Sequence, residues 1–437
     1  MAPPSKRANL AVARIIPPIL LGVVVYACYA ITKPLCIDYL IHPAPHHPHR
    51  SPRVGAGAAI IAVFYFLLIP VIVTYLRLLY NVVWNPGYLP RGTPCLETQN
   101  AQSSSRRSRS CSQSRSNQRK GGEEGPKTTE KTDRPEPDPE SGLEYDAGGK
   151  AFPLDTTGLE SFYTKDVFVC QADGRPAYCS TCCQFKTDRA HHCREVDRCV
   201  RKMDHFCPWV GGVVSETSFK FFIQFVFYTM VLCIFTLIVC ALFTAELKRQ
   251  TGSVNPHWIV GIALSSLFGL FGFGMTVSSL QLAMFNLTTI ENLSRRSAVW
   301  TLAVRVPNHV LSKLNPNSQW APTFRTITYP LQPTPAAPEV SQQGPPTEWH
   351  VFAILQTLPG ENPFDLGSGF KNLQQVMGLS VFDWFLPLKQ SPCADHSSRE
   401  SAFELGPVVA RLRQEAGLEP ADESNPGRNQ VKHRQPT

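Results

Sequence analysis

The chain has 437 residues, with 42 Lys and Arg against 34 Asp and Glu for a formal charge of +8, and it is 43% hydrophobic and 17% charged. Its mean hydropathy of −0.11 would suit a mixed soluble protein. The order of residues excludes that reading, because charge-free runs long enough to cross a bilayer alternate with polar stretches that cannot bury a core.

Four such runs are predicted to be transmembrane helices: 15–32, 54–76, 221–245 and 258–290, the shortest being eighteen residues. At 1.5 Å per residue each approaches or exceeds the hydrocarbon thickness of a membrane. Lys6, Arg7 and Arg14 ahead of the first run resemble the start of a secretory signal. The length of the run, Pro17 and Pro18, and the absence of an Ala-x-Ala pattern after it favour a span instead. Lys and Arg collect at the amino terminus (1–14), after the second run (Arg77, Arg91) and after the fourth (Arg295, Arg296). The positive-inside rule therefore puts both termini and the long central loop in the cytoplasm of a multi-pass protein of the endomembrane system or plasma membrane. The lipid bilayer is the first expected partner.

Residues 98–150 are rich in Ser, Arg, Gly, Glu and Pro and read as a disordered linker. Their basic half, Ser104 to Lys120, lacks interleaved aromatics, which argues against a nucleic-acid partner and leaves an anionic leaflet or phosphorylation as its use. Beyond the fourth run, 291–393 reads as a cytoplasmic segment with an apolar island around Trp384 and Phe385, and 394–437 as a disordered tail.

Chemistry concentrates in 170–220. Seven of the fourteen cysteines lie between Cys170 and Cys207. In a reducing compartment they point to metal binding or thiol chemistry rather than disulfides. The order is Cys179-Ser-Thr-Cys182, nine residues, His192-Cys193, five residues, Cys199, four residues, then Asp204-His205-Phe206-Cys207-Pro208-Trp209. A Cys-x-x-Cys pair followed by His and Cys has the spacing of tetrahedral zinc ligands.

The run Cys179 to Phe222, with Lys186-Thr-Asp-Arg189 and Met203-Asp-His-Phe-Cys-Pro-Trp209, resembles the cysteine-rich domain of DHHC-type protein S-palmitoyltransferases. Asn85-Pro-Gly87 resembles the family's Asp-Pro-Gly, Thr288-Thr-Ile-Glu291 its Thr-Thr-x-Glu, and Asn362-Pro-Phe-Asp-Leu-Gly367 with Phe370 to Gly378 the carboxy-terminal segment of fungal members. The resemblance spans most of the chain outside 98–150, 306–350 and roughly the last forty residues. It implies a mainly α, polytopic fold of four spans, with a small zinc-binding cytoplasmic domain between spans two and three. It also implies transfer of palmitate from palmitoyl-CoA to cysteines of cytoplasmic or membrane-associated substrate proteins. Cys207 would be the acyl-accepting nucleophile, His205 its base and Asp204 the group that orients the imidazole. Lys186 and Arg189, with Arg198, Arg201 and Lys202, are candidate partners for CoA phosphates, a solvated basic face being the alternative.

One position departs from the signature. Phe206 stands where the family has a second His, which there ligates zinc. The other donors of that second ion would fall at Cys193, Val196 and Val213, so three of four are absent together. The first set, Cys179, Cys182, His192 and Cys199, is complete, and one structural zinc is expected rather than two. The alternative function is a catalytically inactive, membrane-anchored zinc scaffold that binds partners.

Overall fold

The computed structural model describes residues 6–43, 51–92, 143–145, 151–153, 158–314, 322–331, 349–392 and 403–418. The principal helices are α1 (Lys6–Ala30), α2 (Val54–Trp84), α3 (Phe219–Thr251), α4 (Pro256–Met284), α5 (Thr289–Leu293), α6 (Gly369–Met377), α7 (Val381–Phe385) and α8 (Pro407–Glu415). The strands considered below are β1 (Val167–Cys170), β2 (Tyr178–Cys179), β3 (Gln184–Phe185), β4 (His191–Cys193), β5 (Arg198–Val200), β6 (His205–Cys207), β7 (Gly212–Val214), β8 (Thr301–Arg305), β9 (Arg325–Tyr329) and β10 (His350–Gln356). The chain divides into two compact units. One comprises Met1–Leu89, Asp188–Trp300 and Thr357–Ala410, the other Pro90–Thr187, Thr301–Gln356 and Arg411–Thr437.

The first unit contains four helices long and apolar enough to span a bilayer, making this a multi-pass membrane protein. Their outward residues, such as Phe66 and Leu270, are about three-quarters exposed. A lipid solvent accepts that surface and water would not. The first span is longer than its charge-free run. α1 starts at Lys6, places Pro17 and Pro18 inside the helix, and continues from Ile31 to Ile41 as a wider π-type helix around Pro34. Proline lacks the donor for the preceding turn, which disfavours regular α geometry there. α3 and α4 form an antiparallel pair whose connection carries ordinary punctuation: Gly252 in the left-handed region ends α3, and Asn255 Oδ1 caps α4 by accepting from His257 N at 2.9 Å. The pair approaches closely at Gly272, where a Cβ would stand 3.5 Å from the Met230 backbone.

The fourth span stops at Met284, six residues before its uncharged run ends. Asn286 turns the chain at φ +48°, and Thr288 opens α5 with a capping box to Glu291. α6 is held beneath that corner by Asn372, whose amide donates to Met284 O at 2.9 Å and to Asp365 Oδ1 at 2.8 Å.

The second unit was not anticipated. It contains a four-stranded antiparallel sheet in the order β9–β10–β8–β1, closed over a core of Leu159, Phe162, Phe168, Ala303, Tyr329 and Phe352. The buried Tyr329 hydroxyl is satisfied by donation to Gly174 O at 2.9 Å. Two expected disordered regions also contain structure. Leu143–Tyr145 pairs with Ala151–Pro153. Within 394–437, residues 403–418 are described and include α8, whose Val409 and Leu412 are buried along with Ala416 and Leu418. That spacing of three and four gives the segment one apolar helical face to bury. The remaining residues of 98–150 and of the tail lie outside those described.

Phe352 is fully buried in the sheet core. Phe352→Ala should destabilise this unit by about 3–5 kcal/mol, seen as cleavage within it at lower protease concentration while the spans stay protected.

Candidate functional site

The candidate nucleophile sits on a two-stranded hairpin. β6 and β7 pair His205 with Val214, Phe206 with Val213 and Cys207 with Gly212. Side chains alternate along a strand, so His205 and Cys207 share one face and Phe206 takes the other. Pro208 begins the tight turn that follows, and Gly211 closes it at φ +74°, a conformation open to glycine at no steric cost.

Asp204 is 3% exposed and fully engaged. Its Oδ2 accepts from His205 Nδ1 at 2.6 Å and from Thr289 Oγ1 at 2.8 Å, while Oδ1 accepts from Thr289 N at 2.8 Å. The ring of His205 packs edge-on against Phe222 at 5.4 Å and is hydrogen-bonded to Cys207. Burial works against the charged imidazole, yet the hydrogen bonds and charges of Asp204 and Cys207 outweigh it and raise the pKa to about 10. The triad can therefore hold a proton on His205, between an orienting carboxylate and a thiol. Cys207 itself is 5% exposed, in an apolar cluster with Leu78, Val82, Phe222 and Leu282.

Beside this hairpin lies a cavity of about 460 Å³ among the four spans, with Tyr75, Phe225 and Phe268 among its lining residues. The turn after Cys207 is fastened to those same residues. Tyr75 donates to Trp209 O at 3.1 Å and stacks on Phe225 at 4.8 Å, and the Trp209 ring meets Phe268 at 6.3 Å and Phe271 at 5.5 Å.

Cys179, Cys182, His192 and Cys199 offer ligand atoms that all lie within 4.8 Å of one another. Cys179 belongs to the β2–β3 knuckle, and His192 and Cys199 face each other across β4–β5. Thiolate and imidazole donors in this number fit a closed structural zinc site. His192 Nε2 lies 3.6 Å from Asp197, a contact that orients the ring. The positions of a second donor set do not fit an ion. Cys193, Val196, Phe206 and Val213 meet in one apolar cluster with Val200, Met203 and Ile290.

The basic residues correct the expectation for CoA. The Arg189 side chain is wholly buried, donating to Glu291 at 2.6 and 2.8 Å and to Asn286 Oδ1 and O at 3.0 and 2.8 Å. A guanidinium committed in this way is not offered to a phosphate. Arg201 is likewise buried against Glu216 at 2.9 Å, Lys202 is buried near Asn286, and Arg198 donates to Leu89 O. Lys186 is half-buried. Sequence reasoning missed two residues. Thr289 is signalled only by its place in the Thr-Thr-Ile-Glu motif. Tyr75 carries no signal, since a tyrosine near the end of a span reads as an interfacial aromatic.

A family model described as DHHC palmitoyltransferase matches residues 172–296. Palmitoyltransferase pfa5 of Aspergillus fumigatus is 70% identical over 422 residues, 96% of this chain and 93% of the relative. Palmitoyltransferase pfa5 of Emericella nidulans is 58% identical over 442 residues, covering 96% and 88% respectively. Palmitoyltransferase PFA3 of Candida glabrata is 30% identical over 238 residues, 52% of this chain and 57% of its own.

Glu291 ties this corner together. Burial opposes its charge, but Arg189, the Thr288 amide and Lys202 hold its carboxyl below the usual range. The stability this confers is present above the unfolded value near 4.5 and is lost as pH falls through the depressed folded value. Glu291→Gln, which leaves Arg189 uncompensated, should cost about 3 kcal/mol at neutral pH. Thermal unfolding from about pH 7 to about pH 3 should show its gap from the wild type closing only on the acid side.

Proposed function

The chain belongs to the DHHC palmitoyltransferase family and is a protein S-palmitoyltransferase, and from that premise we propose that it works through an acyl-enzyme thioester on Cys207. The observation that carries this reading is the Asp204–His205–Cys207 arrangement beside an apolar cavity within the spans. His205 Nε2 takes the Cys207 proton, and the sulfur attacks the carbonyl carbon of palmitoyl-CoA. The bond to the CoA sulfur breaks, and CoA leaves as a thiol with the proton from His205. In the second half-reaction a substrate cysteine attacks the Cys207 thioester and carries the acyl group away, restoring the enzyme thiol. The two half-reactions make a ping-pong course.

The cavity suits the donor's tail. Each buried methylene is worth about 0.8 kcal/mol, a driving force that only an apolar enclosure supplies. Lys186 remains the candidate for the CoA phosphates. Cys179, Cys182, His192 and Cys199 would hold one zinc ion, which contributes folding energy to the cysteine-rich segment. The substrates are cytoplasmic or membrane-associated proteins. The clustering of Lys and Arg beside the spans supports a cytoplasmic placement of Cys207 and of both termini, in a membrane of the endomembrane system or the plasma membrane.

Purified protein incubated with labelled palmitoyl-CoA should acquire hydroxylamine-sensitive label that is absent in Cys207→Ser. In His205→Ala the label should form about 10²- to 10⁴-fold more slowly. Undiminished label in Cys207→Ser would move the nucleophile elsewhere.

A further inference from the structure

The residue between His205 and Cys207 in the signature has a side chain that cannot ligate a metal, and the structure gives it another surrounding. Phe206 packs with Val196 and Ile290 onto a buried group of Cys193, Val200, Met203 and Val213. Cys193 and Val213 are each 1% exposed, and the Cys193 thiol donates to Glu195 Oε2 at 3.4 Å. The four positions where the resemblance puts a second ion therefore converge, yet only one of them has a donor atom. Valine and phenylalanine offer zinc nothing.

The cluster touches the triad at two neighbouring residues. Phe206 follows His205 on β6, and strand alternation drives its ring into the cluster while His205 and Cys207 face the other way. Ile290 follows Thr289, whose amide and hydroxyl hold the two oxygens of Asp204. Phe206 and Ile290 pack onto the same buried group, which thus joins the strand that carries the imidazole to the helix that holds the carboxylate. Interiors are close-packed, so a missing ring leaves a void into which α5 and β6 shift independently.

We propose that Phe206 is a positioning residue: the apolar cluster built around it replaces a second metal ion and sets Thr289–Asp204 at the height that His205 requires. The proposal rests on the reading of Cys207 as the nucleophile. It assigns Cys193, a cysteine in the midst of zinc ligands, to packing.

The test uses full-length protein in lipid nanodiscs and measures two quantities: zinc per chain, and the rate of Cys207 acylation across palmitoyl-CoA concentrations. The wild type should hold one zinc. Cys193→Val should also hold one zinc and keep at least half the acylation rate, because a similar volume is retained. Phe206→Ala should keep the zinc and the half-saturating palmitoyl-CoA concentration but lose about tenfold or more in the saturated rate. Phe206→Leu should recover to within about threefold of the wild type. Should Phe206→Ala fail to fold, Ile290→Val provides the milder lesion, with the same unchanged zinc content and a loss of about two- to threefold. Two zinc ions in the wild type, loss of an ion in Cys193→Val, an unaffected rate in Phe206→Ala, or no recovery in Phe206→Leu would each overturn the proposal. Failure of the acyl-enzyme reading looks different, because Cys207→Ser would then label like the wild type whatever stands at position 206.

Discussion

A buried carboxylate with every oxygen occupied organises the functional half of this protein. Asp204 cannot remain charged at 3% exposure without strong partners. It finds them in three donors, one from the adjacent imidazole and two from Thr289, eighty-five residues downstream. Those bonds require α5 to begin at the place where it does. The capping box of Thr288 and Glu291 fixes that start, and Glu291 is held in turn by Arg189 and through it by Asn286. A continuous set of charge-assisted bonds therefore runs from the imidazole to the corner where the fourth span ends. The hairpin bearing Cys207 is registered to the membrane helices by this set rather than by its own two short strands.

The sequence disclosed these parts unevenly, for physical reasons. Long uncharged runs announce spans because a bilayer tolerates little else, so four helices were legible. Their ends were not, since Met284 ends α4 through a positive φ at Asn286 and a cap at Thr288, and hydropathy is blind to both. The metal tetrad was legible because ligand spacing is local. Arg189 was misread because charge type does not reveal a partner, and its partner Glu291 lies about a hundred residues away. The second unit's sheet was invisible for the same reason: β1 pairs with β8 across more than a hundred residues, and each strand is only four to seven residues long. α8 escaped notice because its apolar positions are few and set among polar neighbours.

Strand alternation divides the signature between two tasks. Positions 205 and 207 present reactive groups to one face, and position 206 supports the hairpin from the other. Chemistry and support are thus separable at adjacent residues. A change from ligand to hydrocarbon at 206 alters what holds the hairpin without touching the groups that would move protons or acyl chains. Such a change is tolerable only when its surroundings change with it. One valine left facing an ion would strip a ligand, and one histidine left facing valines would be a buried polar group without a partner. The convergence of Val196, Phe206 and Val213 in one cluster meets that condition.

On the proposed function the cavity and the hairpin would supply different kinds of free energy. Burial of a fatty tail is large and non-directional: about 0.8 kcal/mol per methylene, summed along a palmitoyl tail, far exceeds any single hydrogen bond, yet it does not specify where the carbonyl stops. Orientation at the reacting carbon is directional and sensitive to displacements of about an ångström. On the acyl-enzyme reading, a wall built only of sliding aliphatic contacts would bind the tail and leave the thioester poorly placed. Here the wall and the reactive turn share a fixed point, because Tyr75 lines the cavity and donates to the carbonyl of Trp209, two residues after the sulfur. On that reading this bond would let the energy gained along the tail act at a defined distance from Cys207.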